Sequence, residues 1–563
     1  MKKTTLLMSA LVLLTMSLTA CNFSMGSSGD ESGNPSDSGS SGGDVVPTFD
    51  DVDGNFTFKS AALSKAQKIH TTNQEKYLNY SGNYYHITKD DLDDCGATGT
   101  ADNSAPLQVT VEWDYTAPSG KTVSNYSFTY GQKSDLSDGY KLPNNVTAKS
   151  VKFYNPYLGD NYFKVTANFS DGSTEDSSIK VFKVDGQAPR NLKVGNLTNI
   201  RDHGGRTTLA GGKIKQGLIY RTCGNKYNTS DSAGSTMNSE AKEVLLHQMK
   251  VKTEINVSND NTYNFNMTSD GVAIKNAYMS YGSTPYSNFA RNAERIRQVF
   301  EILADQNNYP VFYHCRIGTD RTGITGICIN GLLGVPFQEI LQDYGFSNFG
   351  NIGGQRYANK PSDPDGDDCA KYVDEILKMP GATFQEQMYN SLLSIGLSAQ
   401  TLNSVIDIMT EGTKATLPTT AKIGMGSGLT ANNATRGTNS NHEKPSVYYT
   451  INSGKSVSYT DTFTNGEKDI VVYLGSTNSS DSTKLVSCIT LKIDGTEQTI
   501  VDKTLYKAGF GTTKQGSRTG YMFNLLGKFS LTAGSHTIEV AGKNSTSFDI
   551  GAISVFDHVA PAA

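Results

Sequence analysis

The sequence predicts a multidomain chain in which an α/β domain stands between two all-β sandwiches. Period-two alternation recurs in short runs over residues 104–187 and again over 445–558. Near residues 309–332 an apolar strand runs directly into an apolar helix. At 563 residues the chain is also too long for one compact core. A formal net charge of -5 lacks the basic footprint of a nucleic-acid binder, so no nucleic-acid partner is expected. Plentiful Tyr, Gly, Ser and Thr suit extracytoplasmic domains built of short strands and turns.

Residues 1–20 read as a lipoprotein signal peptide. Lys2 and Lys3 precede the apolar run LLMSALVLLTMSLTA, which is short for a bilayer span, and Cys21 follows. The ending LTAC resembles the lipobox of bacterial lipoproteins, which implies cleavage before Cys21 and lipidation of its thiol. More than one acyl chain makes a stable attachment, and no later run of ~18 apolar residues exists. The expected location is therefore the bacterial cell membrane, lipid-anchored on the extracytoplasmic side. Residues 21–46, rich in Ser, Gly and Asp, form a flexible tether.

Residues 47–103 have mixed periodicity, with one helix and a short extended segment expected and no function assigned. In 104–187, LQVTVEW places Leu107, Val109, Val111 and Trp113 on one face, and NYFKVTANFSDGS repeats the alternation. Trp113 and the Tyr strand resemble those of fibronectin type III sandwiches, with Trp113 in the core. Residues 188–412 carry the chemistry, and 413–444 read as a Thr/Ala/Gly/Asn-rich linker. Runs such as DIVVYLGS and HTIEVAG in 445–558 suggest a jelly roll similar to bacterial carbohydrate-binding modules. A glycan is then a candidate ligand, provided that aromatic side chains are exposed on one face.

Beyond Cys21 the cysteines are Cys95, Cys223, Cys315, Cys328, Cys369 and Cys488, too irregularly spaced for a zinc site or a dense disulfide framework. Cys315 stands out. YPVFY (309–313) reads as a buried strand ending at His314, and RTGITGICINGLLGV as a helix beginning near Arg321. Between them, Cys315, Arg316, Ile317, Gly318, Thr319 and Asp320 form a loop whose backbone N–H groups and helix dipole converge on one spot. That spot suits a phosphate dianion, and these loop residues with Arg321 are the expected phosphate-binding set. A cysteine at a helix N-terminus beside a cation is held largely as thiolate. Arg321 has the planar fork to hold two phosphate oxygens, and Thr322 can donate a hydrogen bond to the sulfur.

HCRIGTDRTG (314–323) resembles the HCxxGKDRTG loop of the atypical bacterial tyrosine phosphatases. The likeness extends to NIRDHGG (199–205), GLIYRT (217–222) and LLGVPFQEILQDYGFSN (332–348). It implies attack by Cys315 on phosphorus, a cysteinyl-phosphate, and hydrolysis by water. The catalytic set it implies is His314, Cys315, Asp320, Arg321 and Thr322, with no metal or cofactor. Asp320 maps to the family's general acid, and the neighbouring Arg321 points to an acidic pH optimum. Asp260 and Asp270 are the alternatives if the acid lies on a mobile loop.

Three departures from the family stand out: Thr319 replaces the loop Lys, Arg316 adds a charge after the nucleophile, and Asn256-Val257-Ser258 replaces Asp-Leu-Arg. Arg201 and Asp202 are expected to fix a turn through mutual hydrogen bonds, Asp343 and Tyr344 to pack behind the helix, and Cys328 to lie in the core. A disulfide between Cys223 and Cys315 under oxidation is a further reading. The expected substrate is a phosphotyrosine monoester; a phosphoinositide or inositol phosphate, or an inactive phosphate-binding or adhesive surface protein, are the alternatives.

Overall fold

The computed structural model describes residues 50–560 apart from 60–62, 64, 228–235, 280–288, 290–291, 359–368, 439–444, 477–483 and 502–520. The stretches read as a signal peptide (1–20) and a tether (21–46), with the expected lipidation site Cys21, lie outside the described residues. Among the described residues no helix is long and apolar enough to cross a membrane.

The central sheet has the strand order Arg190–Asn191, Arg201–Asp202, Ile219–Thr222, Val311–His314, Thr253–Asn256, Ala273–Asn276. The last four are mutually parallel, and the first two join antiparallel. Val311–His314 is an inner strand with every residue buried, which is why its sequence is continuously apolar rather than alternating. Thr222, His314 and Asn256 pair in register at the carboxyl ends of three neighbouring strands. The loops that follow these strands therefore open on the same side of the sheet, where α/β folds place their ligands.

The loop after His314 enters the helix Asp320–Leu332, whose residues are all buried. Phe337–Phe346 and Phe384–Ser394 pack against it. A helix enclosed on all sides needs no polar face, which accounts for its run of Ile, Gly, Thr and Leu.

Two sandwiches share this domain's surface. In the first, Asp51–Asp53, Phe56–Phe58, Val109–Tyr115 and Ser150–Phe153 form one sheet, and the strands from Gln67–Lys68 to Lys180–Asp185 form the other. Val109, Val111 and Trp113 are in its core, but Leu107 precedes the strand and is 43% exposed. Residues 47–103 are thus more structured than expected: they supply strands to this sandwich and the helices Thr72–Leu78 and Lys89–Asp94. Tyr77, Leu78, Tyr84, Ile87 and Leu92 join the hydrophobic core of the central domain.

In the C-terminal sandwich, Val447–Ile451, Phe548–Asp557, Gly466–Ser476 and Tyr521–Leu531 face a sheet built on Ser456–Phe463, Gly534–Gly542 and Ile489–Ile493. The stretch expected to be a linker is not one throughout. Lys422–Met425, Thr430–Asn432 and Thr435–Thr438 are strands of this sandwich, the first pairing with Phe548–Asp557. Val471, Tyr473, Ala552 and Phe556 bury one face against the central domain. Among the described residues no aromatic of this sandwich is exposed; Tyr448 and Phe529 are half-buried.

Candidate active site

The strand Val311–His314 delivers His314 and Cys315, both buried, to the carboxyl edge of the sheet. Gly318 then turns the loop with φ +73°, and a Cβ there would lie 2.5 Å from the Thr222 carbonyl oxygen. Only glycine combines that left-handed backbone with so close an approach to the neighbouring strand end. Asn199 secures the loop from beneath: its Nδ2 donates to the carbonyls of Ile317 (3.2 Å) and Gly318 (3.1 Å) and to Thr319 Oγ1 (3.2 Å).

Behind the loop lies a buried charge cluster. Asp343 accepts from Arg201 (3.0 Å), Arg206 (3.1 Å) and Arg221 (2.6 Å), all four side chains being almost fully enclosed. Arg221 continues to the carbonyls of Gly318 (3.0 Å) and Thr319 (3.4 Å), and Arg201 reaches Asn199 Oδ1 at 2.5 Å. Burial alone would raise the Asp343 carboxyl, but Arg201, Arg221 and Arg206 outweigh it and hold it well below the usual carboxylate range. Burial and the neighbouring Arg221 lower Arg201 to about 10, so it stays protonated at neutral pH. Three guanidiniums against one carboxylate leave an excess of positive charge beneath the loop, a field that favours an anion in front of it. Arg201 and Asp202 therefore do not bond to each other as expected. On adjacent residues of an extended strand their side chains point to opposite faces, and Asp202 pairs with Arg190 at 2.7 Å instead. Asp343 likewise does more than pack: it is the shared acceptor of the cluster.

His314 is fixed on both ring nitrogens, by Glu254 Oε1 (2.9 Å) and the Cys315 carbonyl oxygen (3.0 Å). Glu254 is fully buried and also accepts from Phe265 N. Arg321 Nη1 donates to Asn259 Oδ1 at 3.4 Å, tying it to the loop after Asn256. The Thr322 hydroxyl is buried without a hydrogen-bond partner among the described residues. Thr319 is fully buried, so the position of the family's loop Lys faces the interior here. Arg316 is exposed and its Nε donates to the Tyr227 carbonyl at 3.3 Å.

Asp320 opens the helix and pairs with Arg356 Nε at 3.2 Å. Asp260 instead caps its own turn by accepting from Thr262 N (2.7 Å), and Asp270 pairs with Lys242 (2.8 Å). Cys223 and Cys315 are both free thiols, and Cys223 Sγ accepts from Thr198 N at 3.4 Å. Burial pushes Cys223 up to about 12, and does the same to Cys328 beside the Tyr372 hydroxyl.

Sequence reasoning missed Asn199, Glu254 and Arg356. A glutamate in an apolar strand (VKTEINVS) is the signal that marks Glu254 as partnered. Arg356 lies in an irregular loop with no periodic signal.

A cysteine and an arginine flank a strand–loop–helix turn over a buried cationic base, an arrangement suited to holding an anion. Residues 192–409 match the tyrosine phosphatase family. A tyrosine-protein phosphatase of Nostoc commune is 33% identical over 81 residues, 14% of this chain and 25% of the relative, so the matched region spans a quarter of that protein. Among solved structures, the core catalytic domain of the PP-IP phosphatase SIW14 from S. cerevisiae is similar at 18% identity, covering 30% of this chain and 81% of that one, with a TM-score of 0.19. A family 35 carbohydrate binding module from Clostridium thermocellum is similar at 12% identity, covering 24% of this chain and 98% of that one, with a TM-score of 0.19.

Proposed function

We infer that the chain hydrolyses phosphotyrosine monoesters through a cysteinyl-phosphate. The observation that carries this reading is the loop of Cys315 to Asp320, held at a helix N-terminus over the Asp343 cluster with its excess of cations. The phosphate occupies the backbone N–H groups of the loop, and Arg321 holds its equatorial oxygens. Cys315 Sγ attacks phosphorus, the S–P bond forms as the ester P–O bond breaks, and Asp320 protonates the departing phenolate. Water, deprotonated by Asp320, then displaces the sulfur, which receives a hydrogen bond from Thr322. Asp320 is favoured over Asp260 and Asp270 because it opens the helix that the Cys315 loop runs into, whereas those two lie outside that loop, in a turn and a surface ion pair.

One observation favours a second reading. The exposed Arg316 suits a more highly charged ester, a phosphoinositide or inositol phosphate. The run before Cys21 supports lipid anchoring on the extracytoplasmic side, whereas the alternation of 445–558 supports the sandwich fold alone, since the exposed aromatics that a glycan would need are not found among its described residues. A Cys21→Ser variant is expected to leave the membrane fraction.

The test is phosphate release from a phosphotyrosine peptide, a phosphoinositide and inositol hexakisphosphate, with Cys315→Ser alongside. Turnover that vanishes in Cys315→Ser supports the cysteine mechanism, and the ranking selects the substrate class. No turnover by folded, reduced protein leaves a phosphate-binding surface protein.

A further inference from the structure

We propose that Arg356 is a positioning residue that aims Asp320 and sets the pH at which it gives up its proton, and that residues 97–104 hold Arg356 in place from outside the matched phosphatase stretch. The proposal rests on the reading of Asp320 as the acid of the first step.

The Arg356 side chain lies against Asp320 at 3.2 Å in a partly closed setting, 18% and 8% exposed respectively. Its Nη1 donates back to the carbonyls of Gly354 (3.1 Å) and Gln355 (3.4 Å), so the guanidinium is folded over its own loop. Asn348 clamps the Arg356 backbone, accepting from its N–H (2.7 Å) and donating to its carbonyl (2.5 Å). That loop is in turn held by the N-terminal segment. Gly99 N donates to the Asn348 carbonyl (2.8 Å), Ile352 N and Gly354 N both donate to the Gly99 carbonyl (3.0 Å), and Asn103 N donates to Phe349 O (2.6 Å). Gln355 Nε2 adds a bond to the Ala97 carbonyl at 3.1 Å. The same segment reaches the other side of the cysteine loop, where Ser104 Oγ accepts from Asn199 N at 3.2 Å. Gly99 has φ +68°, and a Cβ on it would stand 2.7 Å from the Gly354 carbonyl group. The contact is thus backbone against backbone, with no side chain to yield.

Among the described residues, charged groups beside Asp320 include Arg356 from this loop and Arg321, next to it on its own helix. Arg221 touches the back of the loop through the Gly318 and Thr319 carbonyls and is paired with Asp343, and Arg316 is exposed and turned to Tyr227. A guanidinium at this distance favours the carboxylate and so lowers the pH above which Asp320 is no longer an acid. The sign follows: the first step needs protonated Asp320, so activity falls as pH rises through its pKa, and removing Arg356 moves that fall to higher pH.

The experiment is the pH profile of kcat/KM for p-nitrophenyl phosphate and a phosphotyrosine peptide, using full-chain wild-type, Arg356→Gln, Arg356→Lys, Gly99→Ala and Asp320→Asn proteins. Arg356→Gln is expected to move the basic limb up by about one pH unit and to lower the maximum by about tenfold or more through misaiming. Arg356→Lys keeps the limb where it was. Gly99→Ala, which touches no reacting group, moves it in the direction of Arg356→Gln by a smaller amount. An unmoved limb in Arg356→Gln, or an equal shift in Arg356→Lys, overturns the proposal. If Arg356→Gln does not fold, Arg356→Lys and Gly99→Ala decide between the same outcomes. A basic limb that survives in Asp320→Asn is a different failure, that of Asp320 as the acid, and is read independently of Arg356.

Discussion

The back and the mouth of the cysteine loop are built on opposite principles. At the back, Arg201, Arg206 and Arg221 converge on Asp343 in a setting closed to water, so each guanidinium depends on the one carboxylate for its counter-charge. At the mouth, Asp320 meets Arg356 on an irregular loop that is steadied by a segment from a different part of the chain. Removing one member of a buried charge set leaves the others desolvated and uncompensated, so the back fixes geometry at high cost of change. The Asp320–Arg356 pair is a single ion pair whose arginine side chain is 18% exposed, so its loss leaves one charge that water can reach rather than three that it cannot, and the mouth is cheaper to change. Stability and chemistry are thereby assigned to opposite sides of the same few residues.

The largest effect expected from breaking this division is at Asp343. Asp343→Ala strands three buried guanidiniums and should cost about 3–5 kcal/mol, read by chemical denaturation. Next is His203, which bonds Tyr313 (2.6 Å) and Asn330 (3.0 Å) behind the loop and is lowered to about 4 by burial. Its folded pKa is depressed, so the unfolded chain takes up a proton first as pH falls from about 6.5. Its contribution is full above that pH and is lost on the way down to about 4, a fall of about 3 kcal/mol in unfolding free energy. A His203→Gln variant should flatten that slope. Gly318→Ala should cost about 1–3 kcal/mol through its left-handed backbone and the approach to Thr222, with a loss of phosphate release much larger than the loss of stability. The smallest effect is at the mouth: Arg316→Ala should leave stability within about 0.5 kcal/mol and change only KM, most for the most highly charged ester.

The mouth and the back also differ in how far the sequence reveals them. Strand, loop and helix from 309 to 332 are legible because burial on all sides writes a continuous apolar run and Gly318 punctuates it. The Asp343 cluster is not, since its four members come from separate elements and no local pattern records their meeting. The strands within 422–438 are hidden by their brevity and composition: Thr430–Asn432 and Thr435–Thr438 are largely exposed and carry no large apolar residue, and Lys422–Met425 is too short for its Ile and Met to set up a pattern, so the stretch reads as a linker. Residues 97–104 bind mostly through backbone groups, with the Ser104 hydroxyl added, and Gly99 is the main trace of it in the sequence.

The central claim is that this geometry makes Cys315 a nucleophile toward phosphorus. The most direct measurement is rapid acid quench during turnover of a labelled phosphotyrosine peptide, followed by mapping of the label on the protein. The account expects phosphate on the peptide that contains Cys315, and none in Cys315→Ser. Turnover with no phosphate on Cys315, or label persisting in Cys315→Ser, would contradict it.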